Sequence, residues 1–533
     1  MTSKRQIIPL TLVLILGCLS VAGCLKVGPD FIKPEAPILS NWLESADERV
    51  KNEPANYRDW WEVFEDPALN RIIERAYREN VSLKIAAVRV LEARAQLGIS
   101  VGRLYPQTQQ FNPSVTFNRV SQYSYSTAAS LGVGTPVQGS FWQDQMNLNI
   151  AWEVDFWGKY RRGVESADAS LRATVADYHS ALVTLTADAA NYYIQIRTIE
   201  KRLDIARQNL ETQRESLRIA EVRYQGGSTS ERDVEQAKTL LFNTEATVPV
   251  LEAQLRQSKD ALSVILGVPP DNLTDILAGS SDIPAPAPYV AIGIPADLLR
   301  RRPDIRSAEL QAAAQCAQIG VAKADLFPAF SIGGFFGPQA TTVAGTDLAK
   351  MFNFTSAAST TVGPSVQWNF LNYGRITNNV RLQDARFQEL LLTYKNTVLR
   401  AQQEVEDALA GFLRYQENAR SLALSAEAAK HSLDLAFIQY SQGSTDFTTV
   451  LVAQQALLNV QDNLAAALGN ICTNLAGIYR ALGGGWEIRQ GDEILSPEIK
   501  EVMARRTNWG SLLSPSVYMP PPGNQSDVRS PDW

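Results

Sequence analysis

A mainly α-helical fold that also carries short membrane-type β-strands, built from one unit used twice, is predicted by three features of this sequence. The first is a coiled-coil seam: after Gln439-Tyr440-Ser441-Gln442-Gly443-Ser444, the residues Val450, Leu457, Leu464, Ile471 and Ile478 recur every seven positions. The second is a copy of that pattern 216 positions earlier, at Tyr224-Gln225-Gly226-Gly227-Ser228 followed by Val234, Leu241, Val248, Leu255 and Leu262. The third lies outside the helices. Trp152 to Lys159 matches Trp368 to Arg375 at the same offset, whereas Leu104-Tyr105-Pro106 matches Leu326-Phe327-Pro328 at an offset of 222. A helical seam does not tolerate a change of length and a loop does, so the difference between Pro106 and Trp152 falls in a strand pair and its loop.

From the N-terminus, Lys4 and Arg5 precede an apolar run from Ile7 to Leu16 that is too short to span a bilayer permanently, and Val21-Ala22-Gly23-Cys24 follows. Residues 1–23 read as a signal peptide. Its last residues with Cys24 resemble a bacterial lipobox, in which cleavage frees Cys24 for acylation. Several buried acyl chains, at about 0.8 kcal/mol per CH₂, would hold the mature end to a membrane without a transmembrane helix. Ordinary cleavage beside an incidental cysteine is the competing reading. Leu25, in place of the Asp linked to inner-membrane retention, points to the outer membrane. Cys316 and Cys472 stand singly in helical patterns and read as small packing residues.

Residues 24–80 form a lead-in and equatorial segment, aperiodic and Pro-containing to about Asn56 and helical from Asp59, with Asp66-Pro67 as N-cap and first helical position. The first repeat, 81–267, opens with a helix from Val81 to Leu104 that Tyr105-Pro106 stops. From Val115 the period becomes two: Val115, Phe117, Tyr123 and Tyr125 alternate with Ser114, Thr116, Asn118, Gln122 and Ser124. After a Gly/Pro loop over 132–139, Met146, Leu148, Ile150, Trp152 and Val154 alternate with Gln145, Asn147, Asn149 and Glu153. Apolar out and amide-rich in is the membrane-barrel pattern, although a soluble half-buried hairpin shares the period.

Gly158 then opens a stretch of 68 residues to Gly226, which as one helix extends on the order of 100 Å. Leu203, Leu210, Leu217 and Tyr224 supply its heptad, and Gly226-Gly227-Ser228 breaks it. Pro249 in the return helix predicts a kink or a freed carbonyl. Residues 268–302, with Pro269-Pro270, Pro284, Pro286, Pro288 and Pro295, are a linker. The second repeat, 303–483, starts at Pro303-Asp304 and carries strand patterns through Phe330 and Ile332, then Val362, Val366, Trp368 and Phe370. Residues 484–533 form a tail with little sign of a core.

Composition narrows the function. The net charge is −6, with Lys and Arg spread along helices, so nucleic acid has no electrostatic footprint. The two histidines, His179 and His431, stand alone on long helices and are not equivalent under the 216 offset; with no phosphate loop and no Cys/His cluster, neither an enzyme nor a metal or cofactor site is predicted. Four strands cannot close a barrel, and an open edge in lipid costs several kcal/mol per unpaired backbone group. Other chains must complete it. Barrels have about eight strands or more, so closure alone allows a dimer, a trimer or a larger ring.

The chain is identified as a member of the TolC-like outer-membrane efflux channels, lipoprotein branch. It resembles them in Cys24-Leu25-Lys26-Val27-Gly28-Pro29-Asp30-Phe31, Trp60-Trp61 with Phe64-Glu65-Asp66-Pro67, Trp152 to Gly158, Arg301-Arg302-Pro303-Asp304-Ile305, and the turn from Arg223 to Gly227. The resemblance implies a homotrimer with a 12-stranded β-barrel continuous with a long periplasmic α-helical barrel. It also implies lipid on Cys24, no other cofactor, a periplasmic adaptor (membrane fusion) protein and an inner-membrane resistance-nodulation-division transporter. The chain would then be the passive exit duct of a tripartite efflux system in the outer membrane. A lipid-anchored periplasmic coiled coil without a pore is the alternative, and it leaves the amide-lined strands unexplained.

By match to that family, Tyr224, Gly227, Ser228, Tyr440, Gly443 and Ser444 are the adaptor-docking turns, while the glycines also serve simply to end helices. Arg223, Glu231, Arg232, Asp233 and Asp446 are the candidates for a periplasmic gate, although charged helix ends are commonly just solvated. Where many relatives read Asp-Ala-Gln-Arg, this chain has Val452-Ala453-Gln454-Gln455. Closure is therefore expected to rely on packing and on Asp233 or Asp446.

Overall fold

The computed structural model describes residues 26–51, 53, 56–119, 140–279, 282–342, 352–353, 357–489 and 493–513. The signal peptide, Cys24 and Leu25, Tyr123, Tyr125, the 132–139 loop and the tail beyond 513 lie outside the described residues.

The helical signal at Asp59 begins as a single 3-10 turn, Trp60–Phe64, that buries three aromatic side chains. The α-helix proper starts at α1 (Pro67–Glu79), where the Asp66 carboxylate accepts the Ala68 N–H at 2.8 Å. Asn80 caps α2 (Val81–Gly102) in the same way, accepting the Leu83 N–H at 2.8 Å.

Four antiparallel strands form one sheet in the order β2 (Thr108–Arg119), β3 (Ser140–Val154), β5 (Ala329–Thr341) and β6 (Ala358–Gln367). The strand expected from Val115 begins seven residues earlier. There Gln109 and Gln110 are both polar and Pro113 takes an apolar-face position, which hides the alternation. Phe111, Val115, Phe117, Trp142, Leu148 and Ile150 lie exposed on one face, joined by Ile332, Phe336, Val362 and Val366. On the other face, Asn112 opposes Asn147, and Ser114, Gln145 and Gln339 line up across three strands. β6 ends at Gln367, so Trp368 and Phe370 fall just past it, both exposed.

Two helical hairpins of equal size continue from the strands. α3 (Lys159–Gln225) and α7 (Arg375–Ser441) each run 67 residues, roughly 100 Å at 1.5 Å per residue. Their return helices, α4 (Glu231–Ile265) and α8 (Phe447–Ala481), each run 35 residues. Every boundary of the second hairpin lies 216 positions after the first, from Lys159 to Arg375 through Ile265 to Ala481. α4 continues through Pro249 without a break, so the lost N–H leaves the Glu245 carbonyl as the freed group. The upper halves of α3 and α7 pack on α6 (Pro303–Ala324), with α2 also against α3, while α8 bridges back to α3.

The largest core sits around the middle of the long helices. There Trp42, Trp60, Tyr178, Leu182, Tyr193, Tyr394 and Phe412 are buried together. The segments before and between the repeats wrap it: β1 (Val50–Lys51) pairs in parallel with β4 (Val290–Ala291), and the Trp42 indole donates to the Gly293 carbonyl at 3.0 Å. The linker also contains a short helix, α5 (Leu298–Arg301).

The tail departs from expectation. Up to Leu513 it packs on the core: Trp486 stacks on His179 at 4.7 Å, Arg489 donates to the Tyr178 hydroxyl at 2.7 Å, and α9 (Pro497–Arg506) buries Met503. These anchors are single aromatic and cationic side chains with no period for the sequence to show. Burial pushes the His179 imidazole down to about 4, so it is neutral at pH 7. Cys316 and Cys472 are free, buried thiols, and burial pushes the Cys472 thiol up to about 12.

Candidate functional site

The far ends of the two hairpins lie side by side. Each long helix ends in the same motif. In the first, the Ser228 N–H donates to the Arg223 carbonyl at 2.8 Å and the Gly227 N–H to the Tyr224 carbonyl at 2.9 Å; in the second, Ser444 donates to Gln439 and Gly443 to Tyr440. This double bond pattern needs a left-handed residue at its centre, supplied by Gly227 at φ 71° and Gly443 at φ 73°. Ser228 and Ser444 lie exposed beside them.

The side chains on these matching turns differ. Tyr224 is 44% exposed, whereas Tyr440 is 5% exposed and packs its ring against Phe447 at 5.1 Å. The two tyrosines matched by sequence therefore do different jobs, and Tyr440 is floor rather than outer surface. Arg223 crosses between the hairpins: its guanidinium lies 4.2 Å over the Tyr440 ring and donates to the carbonyls of Tyr440 and Ser441 at 2.9 and 3.2 Å. Charge-assisted bonds of this kind are the stronger ones.

Within one chain, two of the acids among the gate candidates bond to the starts of their own helices. Asp446 caps α8, accepting from the Thr449 N–H at 3.2 Å and its hydroxyl at 2.8 Å. Asp233 is buried and accepts from the Thr229 hydroxyl, with Arg232 at 3.5 Å. Burial raises the Asp233 carboxyl, but the Thr229 and Ser230 hydrogen bonds and Arg232 outweigh it and hold the group below its ordinary value. Glu231 and Arg232 are exposed. Of the five gate candidates, Arg223 alone reaches the other hairpin within one chain. Tyr440, Phe447, Val450, Val234 and Ala237 form one buried cluster where the two tips meet.

Above the tips runs a polar ladder that the sequence reading missed. Arg202 pairs with Asp462 through two bonds at 2.7 and 2.9 Å, Asn209 donates to Gln461 at 3.0 Å, and the buried Gln454 donates to Ser216 at 2.6 Å. With Arg223 these positions on α3 are seven apart, one residue ahead of the apolar heptad of Leu203, Leu210 and Leu217. That second, polar heptad was the available signal. Val452 is 61% exposed and lies outside this ladder.

A family model described as "Outer membrane efflux protein" matches residues 72–268 and 294–484, one match over each repeat. The chain is 30% identical over 498 residues to "Nodulation protein T" of Rhizobium leguminosarum bv. viciae, covering 93% of this chain and 98% of that protein. It is 31% identical over 428 residues to "Pyoverdine export outer membrane protein OpmQ" of Pseudomonas putida, covering 80% and 88%. The solved structure of the outer-membrane channel OprN superposes with a TM-score of 0.79 at 33% identity, covering 86% of this chain and 99% of that one.

Proposed function

This chain belongs to the outer membrane efflux protein family, and from that premise we propose that three copies of it form the exit duct of a tripartite pump. It is an outer-membrane efflux channel. The observation that carries the proposal is the sheet: four strands with an apolar face outside, an amide-lined face inside and, among the described residues, both outer edges, β2 and β6, unpaired. Three such sheets make a 12-stranded cylinder, which removes every edge from lipid.

The chain divides into a signal peptide over 1–23, an equatorial lead-in over 24–80, repeats over 81–267 and 303–483, a linker over 268–302 and a tail from 484. Lipid on Cys24 anchors the mature end. An inner-membrane resistance-nodulation-division transporter supplies cargo through a periplasmic adaptor. The adaptor meets the exposed tip residues Tyr224, Gly227, Ser228, Gly443 and Ser444, with Tyr440 beneath them as support. Arg223 holds the hairpins of one subunit together, and Glu231, Arg232, Asp233 and Asp446 set the charge around the constriction. The duct is passive, so cargo selection belongs to the transporter.

Photo-crosslinking residues placed at Ser228 and Ser444 in cells test the docking assignment. Covalent capture of an adaptor from both sites is expected, and none from a control site at Glu74 in the equator. Capture from Glu74 alone would move the adaptor away from the tips.

A further inference from the structure

The internal duplication fixes how one copy joins the next. β2 corresponds to β5 at an offset of 221 and β3 to β6 at 216, because the pair Thr108–Ala151 maps onto Ala329–Gln367 and Phe117–Trp142 maps onto Pro338–Ala358. The junction between repeats inside one chain is β3 against β5, with Trp152 opposite Ile332 and Asn149 opposite Phe335. Its image under the same two offsets joins β6 to β2 of another copy.

We propose that β6 pairs antiparallel with β2 of the partner subunit in the register that sets Ser365 opposite Ser114 of the partner subunit, and Trp368 opposite Phe111 of the partner subunit. The inference rests on the trimer reading and deepens it by naming the seam. The faces agree independently. In this register Val362 meets Phe117 of the partner subunit on the apolar side, and Gln367 meets Asn112 of the partner subunit on the amide side. A slip of one residue would set amides against the lipid-facing aromatics along the whole seam.

A second mark lies just below the strands. Inside the chain Trp157 stacks on Phe327 at 4.6 Å and donates to the Pro328 carbonyl at 2.8 Å. The repeat images of these two rings are Tyr373, which is 96% exposed, and Tyr105, which is 41% exposed. Tyr373 lies open to solvent in the single chain, without the neighbour that the duplication assigns to it. Tyr373 thus stacks on Tyr105 of the partner subunit. The Lys159–Asp325 ion pair at 2.8 Å has no such image, since Arg375 would face Arg103 of the partner subunit. The register is carried by strands and rings rather than by charge.

The test places cysteine at Ser365 together with cysteine at Asn112, Ser114 or Thr116, one pair per full-length lipidated protein, and treats each with a short bis-methanethiosulfonate. All four positions face the amide-lined side, and the native thiols at Cys316 and Cys472 are buried. The Ser365→Cys/Ser114→Cys pair is expected to give the highest yield of reducible multimer, with the flanking pairs, displaced by about 7 Å along the strand, several-fold lower. A maximum at Asn112 or Thr116, or equal yields from all three, overturns the register and leaves the trimer standing. Single chains by native mass spectrometry, with no pair cross-linking, overturn the trimer reading itself.

Discussion

The two hairpin tips share one backbone and divide the work between them. Gly227 and Gly443 close the same turn, yet Tyr224 points to solvent while Tyr440 is buried against Phe447, and Arg223 has Gln439, an exposed amide, as its counterpart. The first tip reaches across and the second receives it. Duplication thus supplied two identical scaffolds, and the side chains made one an arm and the other a socket. The return helices differ likewise, since α4 carries Pro249 where α8 has the buried Ala465.

Exchanging those features should break the comparison, most strongly in the helix. Ala465→Pro should cost about 3 kcal/mol or more, because the ring clashes with the preceding turn in a helix with no adaptation to it. Pro249→Ala should cost nothing. Denaturant unfolding of the two variants would read the difference, and equal losses would mean that the return helices are interchangeable.

Next is the arm. Arg223→Ala should free the tips by about 2 kcal/mol, removing two charge-assisted bonds and a cation–π contact. Spin labels at Gln225 and Gln442 should then report a longer, broader distance, whereas Gln439→Ala should leave it unchanged. A smaller effect separates the helix starts. Asp446→Ala should cost about 1 kcal/mol at the first turn of α8, while Ser230→Ala, whose hydroxyl makes no capping bond, should cost only a few tenths. Hydrogen exchange of the first-turn amides distinguishes them.

The smallest effect is a pH dependence confined to the first tip. Asp233 is held below its ordinary value of 3.8, so its stabilisation is complete above that pH and is lost as pH falls through the lower native value. Exchange at Thr229 to Val234 should rise only below about pH 4, and Asp233→Asn should abolish that rise.

Much of this molecule is legible in the sequence because its long helices announce themselves by period. Val450 to Ile478 and Val234 to Leu262 gave both return helices, and Gly226-Gly227 and Gly443 gave both turns. The lipid-facing side was legible in β3, where Leu148, Ile150 and Trp152 alternate cleanly, and not at the start of β2, where Pro113 interrupts the pattern. What stayed hidden is pairing across distance. Nothing local says that Ser216 meets Gln454 or that Arg223 lies on Tyr440, since each pair is more than 200 residues apart. Identical turn sequences likewise conceal that one tyrosine is exposed and its copy is not.

The most direct test of the whole account is single-channel recording of the lipidated protein in planar bilayers. It predicts discrete pores formed by trimers, small in conductance and enlarged by Arg223→Ala. A protein that inserts without passing any current, or pores indifferent to Arg223, would contradict it.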